Sequence, residues 1–291
     1  MVWLFIFFRI VANPFSNVFQ KVLTRKAAGP LFIICATHGM LSVAGAAVVL
    51  FEPGSLSNEF WFNIAVVALL TVTGNVLIVQ ALKRSDLSIL GPINAYKPVV
   101  SLVPGMILLH EFPGAMGIAG ILLIVTGSYF TVDKNLQEPH LNVFIRFFKD
   151  RGIQYRFAAL ILTAIEAAFL KRALLASSPI LTFAFWALLG FGVSLMAVML
   201  LPGGNLKSEC GILQTNKKTY FMLGLSTGLM QLCTIFTLKE LQVGYALALF
   251  QTSTLLSVFL GYKVFQERNI MERLFGSVMM IAGAILIILG R

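Results

Sequence analysis

The stretch 116-MGIAGILLIVTGSYF-130 decides the class of fold. It carries no charge, and its apolar residues follow one another without alternation. A membrane-barrel strand would alternate apolar and polar residues over about ten positions. In lipid the backbone must satisfy its own hydrogen bonds, which leaves only helices or a closed barrel. A continuous run of this kind is therefore a helix, and 274-LFGSVMMIAGAILIILG-290 reads the same way. The whole chain agrees: of its 291 residues 58% are hydrophobic and only 12% are charged, with a mean hydropathy of +0.89. Soluble domains carry about a quarter charged residues. A soluble fold could not cover so much apolar surface, so the sequence specifies an all-α integral membrane protein that crosses the bilayer many times.

The formal net charge of +10 does not point to nucleic acid, because the basic residues sit in short loops between apolar runs. There they set membrane orientation and meet anionic headgroups. Cys35 and Cys233 fall in apolar segments and Cys210 in a loop, without the paired spacing of a disulfide framework or a zinc site. No metal and no cofactor is expected. The N-terminal segment 1-MVWLFIFFRIVANPFSNVFQK-21 lacks a basic leader and holds Arg9 and Asn13-Pro14 in its middle, which fits a first spanning helix better than a signal peptide.

Ten spans are expected, near 2–20, 30–50, 60–82, 87–109 and 114–132, then near 153–174, 179–201, 219–240, 243–265 and 271–290. Between the groups lies a polar stretch whose part 141-LNVFIRFFKD-150 suits either a short interfacial helix or an amphiphilic linker. Shifting the chain by 156 residues lays the third to fifth spans on the eighth to tenth without a gap. Lys83 falls on Lys239, Ser101 on Ser257, Gly105 on Gly261, Glu111 on Glu267, Gly120 on Gly276 and Gly127 on Gly283. A shorter echo links 17-NVFQK-21 to 167-AAFLK-171. The organisation read from this is a five-helix repeat over 1–132, a polar linker over 133–152 and a second five-helix repeat over 153–291. An odd number of spans per half makes the second half enter from the opposite side, which gives an inverted 5+5 repeat of the kind secondary transporters use.

The segments 82-LKRSDLSILGPINAYKPVVSLVPGMILLHEFPGAMGIAGILLIVTGSYF-130 and 238-LKELQVGYALALFQTSTLLSVFLGYKVFQERNIMERLFGSVMMIAGAILIILG-290 share one plan. Each has a short loop, a helix, a glutamate near the next loop, and a closing helix with two glycines seven apart. In this the chain resembles the drug/metabolite transporter superfamily, specifically its ten-helix proteins with two EamA repeats. The resemblance implies a transporter with a central cavity lined by the third and fourth helices of each half. The substrates of such proteins range from amino acids to nucleotide sugars.

An ionisable residue at mid-bilayer costs about 2.5–3.5 kcal/mol on insertion scales, so each needs a partner or a task. Arg9 lies midway along the first span, Lys97 close to the centre of the fourth, and Glu166 in the far half of the sixth. Two readings stand side by side. Glu166 neutralises a cation within the bundle, or two cations against one carboxylate leave a positive cavity suited to an anionic or zwitterionic ligand. Polar residues recur at helical spacing around these charges. Arg9, Asn13, Ser16, Asn17 and Gln20 form one stripe, and Asn94, Lys97 and Ser101 another. Thr71 with Asn75, Thr163 with Glu166, Thr227 with Gln231 and Thr234, and Ser253 with Ser257 supply shorter ones. Any single serine or threonine serves equally as glue between helices. Pro92, Pro98 and Pro104 each remove a backbone donor from the fourth span, and the bends and bare carbonyls that result suit a helix lining a cavity.

The substrate-binding candidates are Arg9, Asn13, Asn17, Asn75, Asn94, Tyr96, Lys97, Ser101, Glu166, Gln231 and Ser253. Glu166, a carboxyl able to carry a proton, and His38, which titrates near neutrality when unperturbed, are the candidates for proton coupling. The expected function is secondary-active or exchange transport of a small polar, anionic or zwitterionic metabolite by alternating access. Its partners would be that solute, the bilayer, and a proton or counter-substrate. A lipid scramblase or a membrane enzyme using the same cavity is the alternative, although no nucleophile, base or metal cluster supports an enzyme. The location is the plasma (inner) membrane. The basic loops 1–2, 3–4, 5–6, 7–8 and 9–10 place both termini on the non-cytoplasmic side, against the orientation usual for the resembled family.

Overall fold

The computed structural model describes residues 1–51, 56–85, 90, 93–94, 96–130, 150–201, 206–253, 256, 259 and 271–290. Eleven helices and no strand occur among them: α1 (Val2–Arg25), α2 (Pro30–Phe51), α3 (Asn58–Arg84), α4 (Lys97–Leu109), α5 (Ala115–Phe130), α6 (Arg151–Leu175), α7 (Pro179–Leu200), α8 (Leu206–Thr215), α9 (Lys217–Glu240), α10 (Val243–Gln251) and α11 (Met271–Leu289). Five of these, α1, α2, α3, α7 and α9, are long and apolar enough to cross a membrane. The expected interfacial helix at 141–150 and the repeat partners Ser257, Gly261 and Glu267 lie outside the described residues, as does Pro92.

Local chemistry sets the helix ends. Ser57 accepts a hydrogen bond from the Phe60 N–H at 3.2 Å, and Ser178 accepts one from Leu181 at 3.2 Å, each capping a free donor. Asp150 accepts from Gly152 and Ile153 and opens α6. His110 closes α4 in the left-handed conformation, with φ of 54°. The element α4 opens with Pro98 in its first turn, where a missing N–H leaves nothing unpaired. Lys97 is its first residue, and Leu90, Ile93 and Asn94 before it are also helical. Pro104 is the only proline inside α4.

The helix α8 was not expected. It is short and polar, so it leaves no apolar run to read. Its Glu209 accepts hydrogen bonds from the Gly29 N–H at 2.9 and 3.1 Å, placing a carboxylate against the start of α2. Lys26 bonds Asn216 beside it.

The surface is rich in apolar side chains, as a lipid solvent demands, and polar side chains are buried beside an apolar core. Phe7, Val43, Leu69, Ile107, Leu122, Met196 and Ile285 are exposed, whereas Ser16, Gln20, Thr71, Ser101, Gln231 and Gln251 are buried. The most extensive helix pairs are α3 with α6, α5 with α11, α2 with α7 and α1 with α9. Each joins a helix from before the linker to one from after it, so the two stretches interdigitate. Exchanging the stretches turns the α3–α6 pair into the α9–α1 pair and leaves the other two as they are. At the α5–α11 crossing, a Cβ on Gly120 would lie 2.6 Å from the Gly283 carbonyl oxygen, and one on Gly127 would lie 2.6 Å from the Gly276 oxygen. These are backbone atoms that cannot step aside, so the two closest approaches depend on glycine.

A charged latch closes one end of the bundle. The Lys171 ammonium, near the end of α6, donates to Glu111 at 2.5 Å and to the Leu241 carbonyl at 2.7 Å. The second Glu111 oxygen accepts the Val243 N–H at 2.7 Å, capping α10, whose residues are all buried. Glu111 therefore has a structural role. Gly120→Ala and Gly283→Ala should each lower the melting temperature of the purified protein by several degrees, consistent with overpacking costs of about 1–3 kcal/mol. Gly192→Ala, which meets nothing within 4 Å, should leave it unchanged. Scanning calorimetry or a dye-based melt in detergent reads the difference.

Candidate functional site

A cavity of about 120 Å³ lies among α1, α2, α3, α4, α6, α7, α9 and α10. From α1 it takes Arg9 to Gln20, from α2 Ile34 to His38, from α3 Thr71 to Ile78, and from α6 Arg156 to Leu170. These positions place it towards the end of the bundle where α1 and α3 finish and α2 and α6 begin. The opposite end holds the Glu111–Lys171 latch and an exposed pair, Arg172 with Glu59 at 2.7 Å.

The ionisable side chains lining the cavity are Arg9, His38, Lys97, Arg156 and Glu166. Glu166 accepts a hydrogen bond from the Thr71 hydroxyl at 2.7 Å, and Thr71 in turn accepts from the Trp186 indole N–H at 3.2 Å. That chain of donors holds the carboxylate in place from α3 and α7. Lys97 lies within electrostatic range of Glu166, Arg9 and Arg156. The Arg9 guanidinium donates through Nε to Thr234 at 2.8 Å and lies 4.7 Å from the Phe250 ring centre, a cation–π distance. Its Nη1 is buried without a hydrogen-bond partner, and so is Nε of Arg156. His38 donates its Nδ1–H to the Ile34 carbonyl at 3.1 Å, and its ring lies 4.7 Å from that of Trp186. Its Nε2 is buried and unpartnered. The ring fits only because position 190 is glycine: a Cβ there would lie 2.3 Å from the imidazole.

Neutral groups complete the wall. Ser16 and Thr227 share a hydrogen bond of 2.8 Å between α1 and α9, and Asn94 donates to Gln251 at 3.1 Å. Asn75 donates to the Thr71 carbonyl on its own helix at 2.9 Å. Gln20 Oε1 and Gln231 Nε2 are buried and unpartnered. Among the described residues the cavity therefore offers both unsatisfied donors and an unsatisfied acceptor, with three cations against one carboxylate.

The model of the EamA-like transporter family matches residues 3–133 and again 150–289. The chain belongs to the EamA-like transporter family. A solved structure described as "Crystal structure of protein" superposes with a TM-score of 0.72 at 16% identity, covering 99% of this chain and 96% of that one. At that identity the likeness concerns the fold. No curated protein matches the chain.

In this EamA-like chain Arg9, Asn13, Asn17, Asn75, Asn94, Lys97, Glu166, Gln231 and His38 line this cavity. Three expected residues do not. Ser101 is fully buried and donates to the Pro98 carbonyl at 2.7 Å, satisfying its own helix. Tyr96 caps α4 from a position 38% exposed. Ser253 accepts from Asn13 at 3.1 Å and supports that residue from behind. The cavity residues missed in the sequence are Arg156, Thr37 and Trp186. Arg156 follows the basic end of the linker, and nothing in its immediate neighbours separates it from an interfacial basic residue. Its spacing of seven from Thr163 and ten from Glu166 would have put it on their face.

Glu166→Gln removes the carboxylate that balances Lys97, and should lower the melting temperature markedly, since an uncompensated buried charge costs about 3–5 kcal/mol. Adding Lys97→Met to Glu166→Gln should restore most of the loss. Melts of the four proteins in this double-mutant cycle check it.

Proposed function

We propose that this protein is a secondary-active or exchange transporter that moves a small polar, anionic or zwitterionic metabolite through the cavity by alternating access. The observation that carries this reading is the convergence of Arg9 on α1, Lys97 on α4 and Arg156 and Glu166 on α6 in one cavity of a transporter-family protein. Arg9 and Lys97 bind the anionic part of the solute, and Glu166 balances charge or carries a proton. The bare Nε2 of His38 makes it a second coupling candidate.

The architecture in this proposal is an inverted 5+5 repeat, 1–132 and 153–291 about the linker 133–152, with α8 as a short addition outside the ten spans. The helix pairs that persist when the halves are exchanged support it. Alternating access then opens the latched end by parting Glu111 from Lys171 while the end near Arg156 closes. The loop charges orient the Asp133–Gly152 connection towards the cytoplasm. Cysteine placed in that loop should react with an impermeant reagent only after the membrane is permeabilised.

Proteoliposome uptake tests the central assignment. Solutes are first screened by thermal shift on the purified protein, and flux of the stabilising solute is compared between wild type and Lys97→Ala. Flux should fall at least tenfold in the variant. Equal uptake by both would remove Lys97 from the mechanism.

A further inference from the structure

We propose that the ligand of this cavity is a small dianion, anchored by Arg9 and Arg156 together; this deepens the transport reading above and rests on it for the location of the site. The charges sort into two groups. Glu166 is already engaged: the Thr71 hydroxyl bonds it at 2.7 Å and Lys97 lies within electrostatic range of it. A carboxylate so engaged is a poor receptor for the ammonium of a zwitterion. Charge for charge it offsets one of the three cations, which leaves a surplus of two and, among the described residues, no further carboxylate on the cavity wall.

Both guanidinium groups keep an unused donor. Arg9 Nη1 and Arg156 Nε are buried and without a hydrogen-bond partner among the described residues. Arg156 is 8% exposed, so bulk solvent reaches little of it. Buried charge of one sign is tolerated when a ligand of the other sign completes it, and guanidinium suits carboxylate and phosphate oxygens through two parallel N–H bonds. Arg9 is held in place for this task by Thr234 and the Phe250 ring. The Nε2 amide of Gln231 adds a neutral donor that is also unpartnered. The volume, about 120 Å³, is well below the roughly 300–1,000 Å³ of pockets for drug-sized ligands, so few heavy atoms fit. Arg156 lies ten residues before Glu166 on α6, about 15 Å along the helix, so it meets the ligand nearer the end where α6 begins. A dicarboxylate or a phosphorylated small molecule has the charge this arrangement lacks.

The purified full-length protein is titrated with succinate, glutarate, inorganic phosphate, acetate and alanine, following binding by thermal shift and calorimetry. At least one dianion should bind ten times or more tightly than acetate and alanine. Preference for succinate or glutarate identifies two separated carboxylates; preference for phosphate identifies a single doubly charged head. Arg156→Gln should weaken dianion binding at least tenfold and leave acetate binding within twofold, while Arg156→Lys retains part of the affinity. If Arg156→Gln does not fold, the comparison of Arg156→Lys and Arg9→Lys with wild type decides, since each should weaken the dianion several-fold through loss of the forked contact. Binding of alanine or acetate as tight as that of every dianion, or binding of no dianion at all, overturns the proposal. Alanine flux in proteoliposomes that ignores dianions leaves the transport reading standing and this one fallen. Dianion binding without flux of any solute does the reverse.

Discussion

A charged side chain held at the middle of a bilayer costs about 2.5–3.5 kcal/mol on insertion scales, and this chain places several of them together. That cost organises the molecule. Arg9, Lys97, Arg156 and Glu166 come from three helices, and each is tolerable only if its helix turns the charged face inward. The faces then meet at one place, and the polar residues at helical spacing beside each charge follow. Ser16 finds Thr227, Asn13 finds Ser253, and Thr71 finds Glu166 and Trp186. The cavity is what remains where these polar faces do not quite close.

The glycine crossing of α5 and α11 works in the opposite way, through contact rather than charge. Gly120 opposes Gly283 and Gly127 opposes Gly276, so each glycine of one helix faces the repeat partner of the other. Two related helices meeting face to face place any symmetry axis between them. The main other neighbour of the pair is α10, and its contacts with α4 are few. The crossing is thus held by close backbone approach and not by the charges that gather around the cavity.

The sequence made legible whatever depends on period or on cost. Continuous apolar runs gave the helical class, and the 156-residue shift brought out the glycines that prove to touch. Isolated charges in apolar runs pointed to Arg9, Lys97 and Glu166, all of which line the cavity. What stayed hidden depends on depth and on partners. Arg156 sits near a helix start, where a basic residue is ordinarily interfacial, and only the packing of α6 against α3 and α4 shows it buried. Ser101 shared a face with Lys97 by spacing, yet its hydroxyl bonds back to the Pro98 carbonyl of its own helix. The helix α8 lacked any apolar period, and its place comes from one carboxylate meeting one backbone donor.

The interdigitation of the two stretches bears on how the protein is made. Glu166 follows Lys97 by 69 residues and Arg9 by 157, so both cations enter the membrane well before their counter-charge exists. The faces of α1, α2 and α3 that finally meet α9, α7 and α6 are likewise bare at that stage. The nascent first half is a charged, half-covered intermediate, and it depends on the translocation machinery, on water drawn into the bilayer or on lipid headgroups until α6 arrives. The interval between the synthesis of Lys97 and that of Glu166 is therefore the stage at which the charges of the first half stand unmatched.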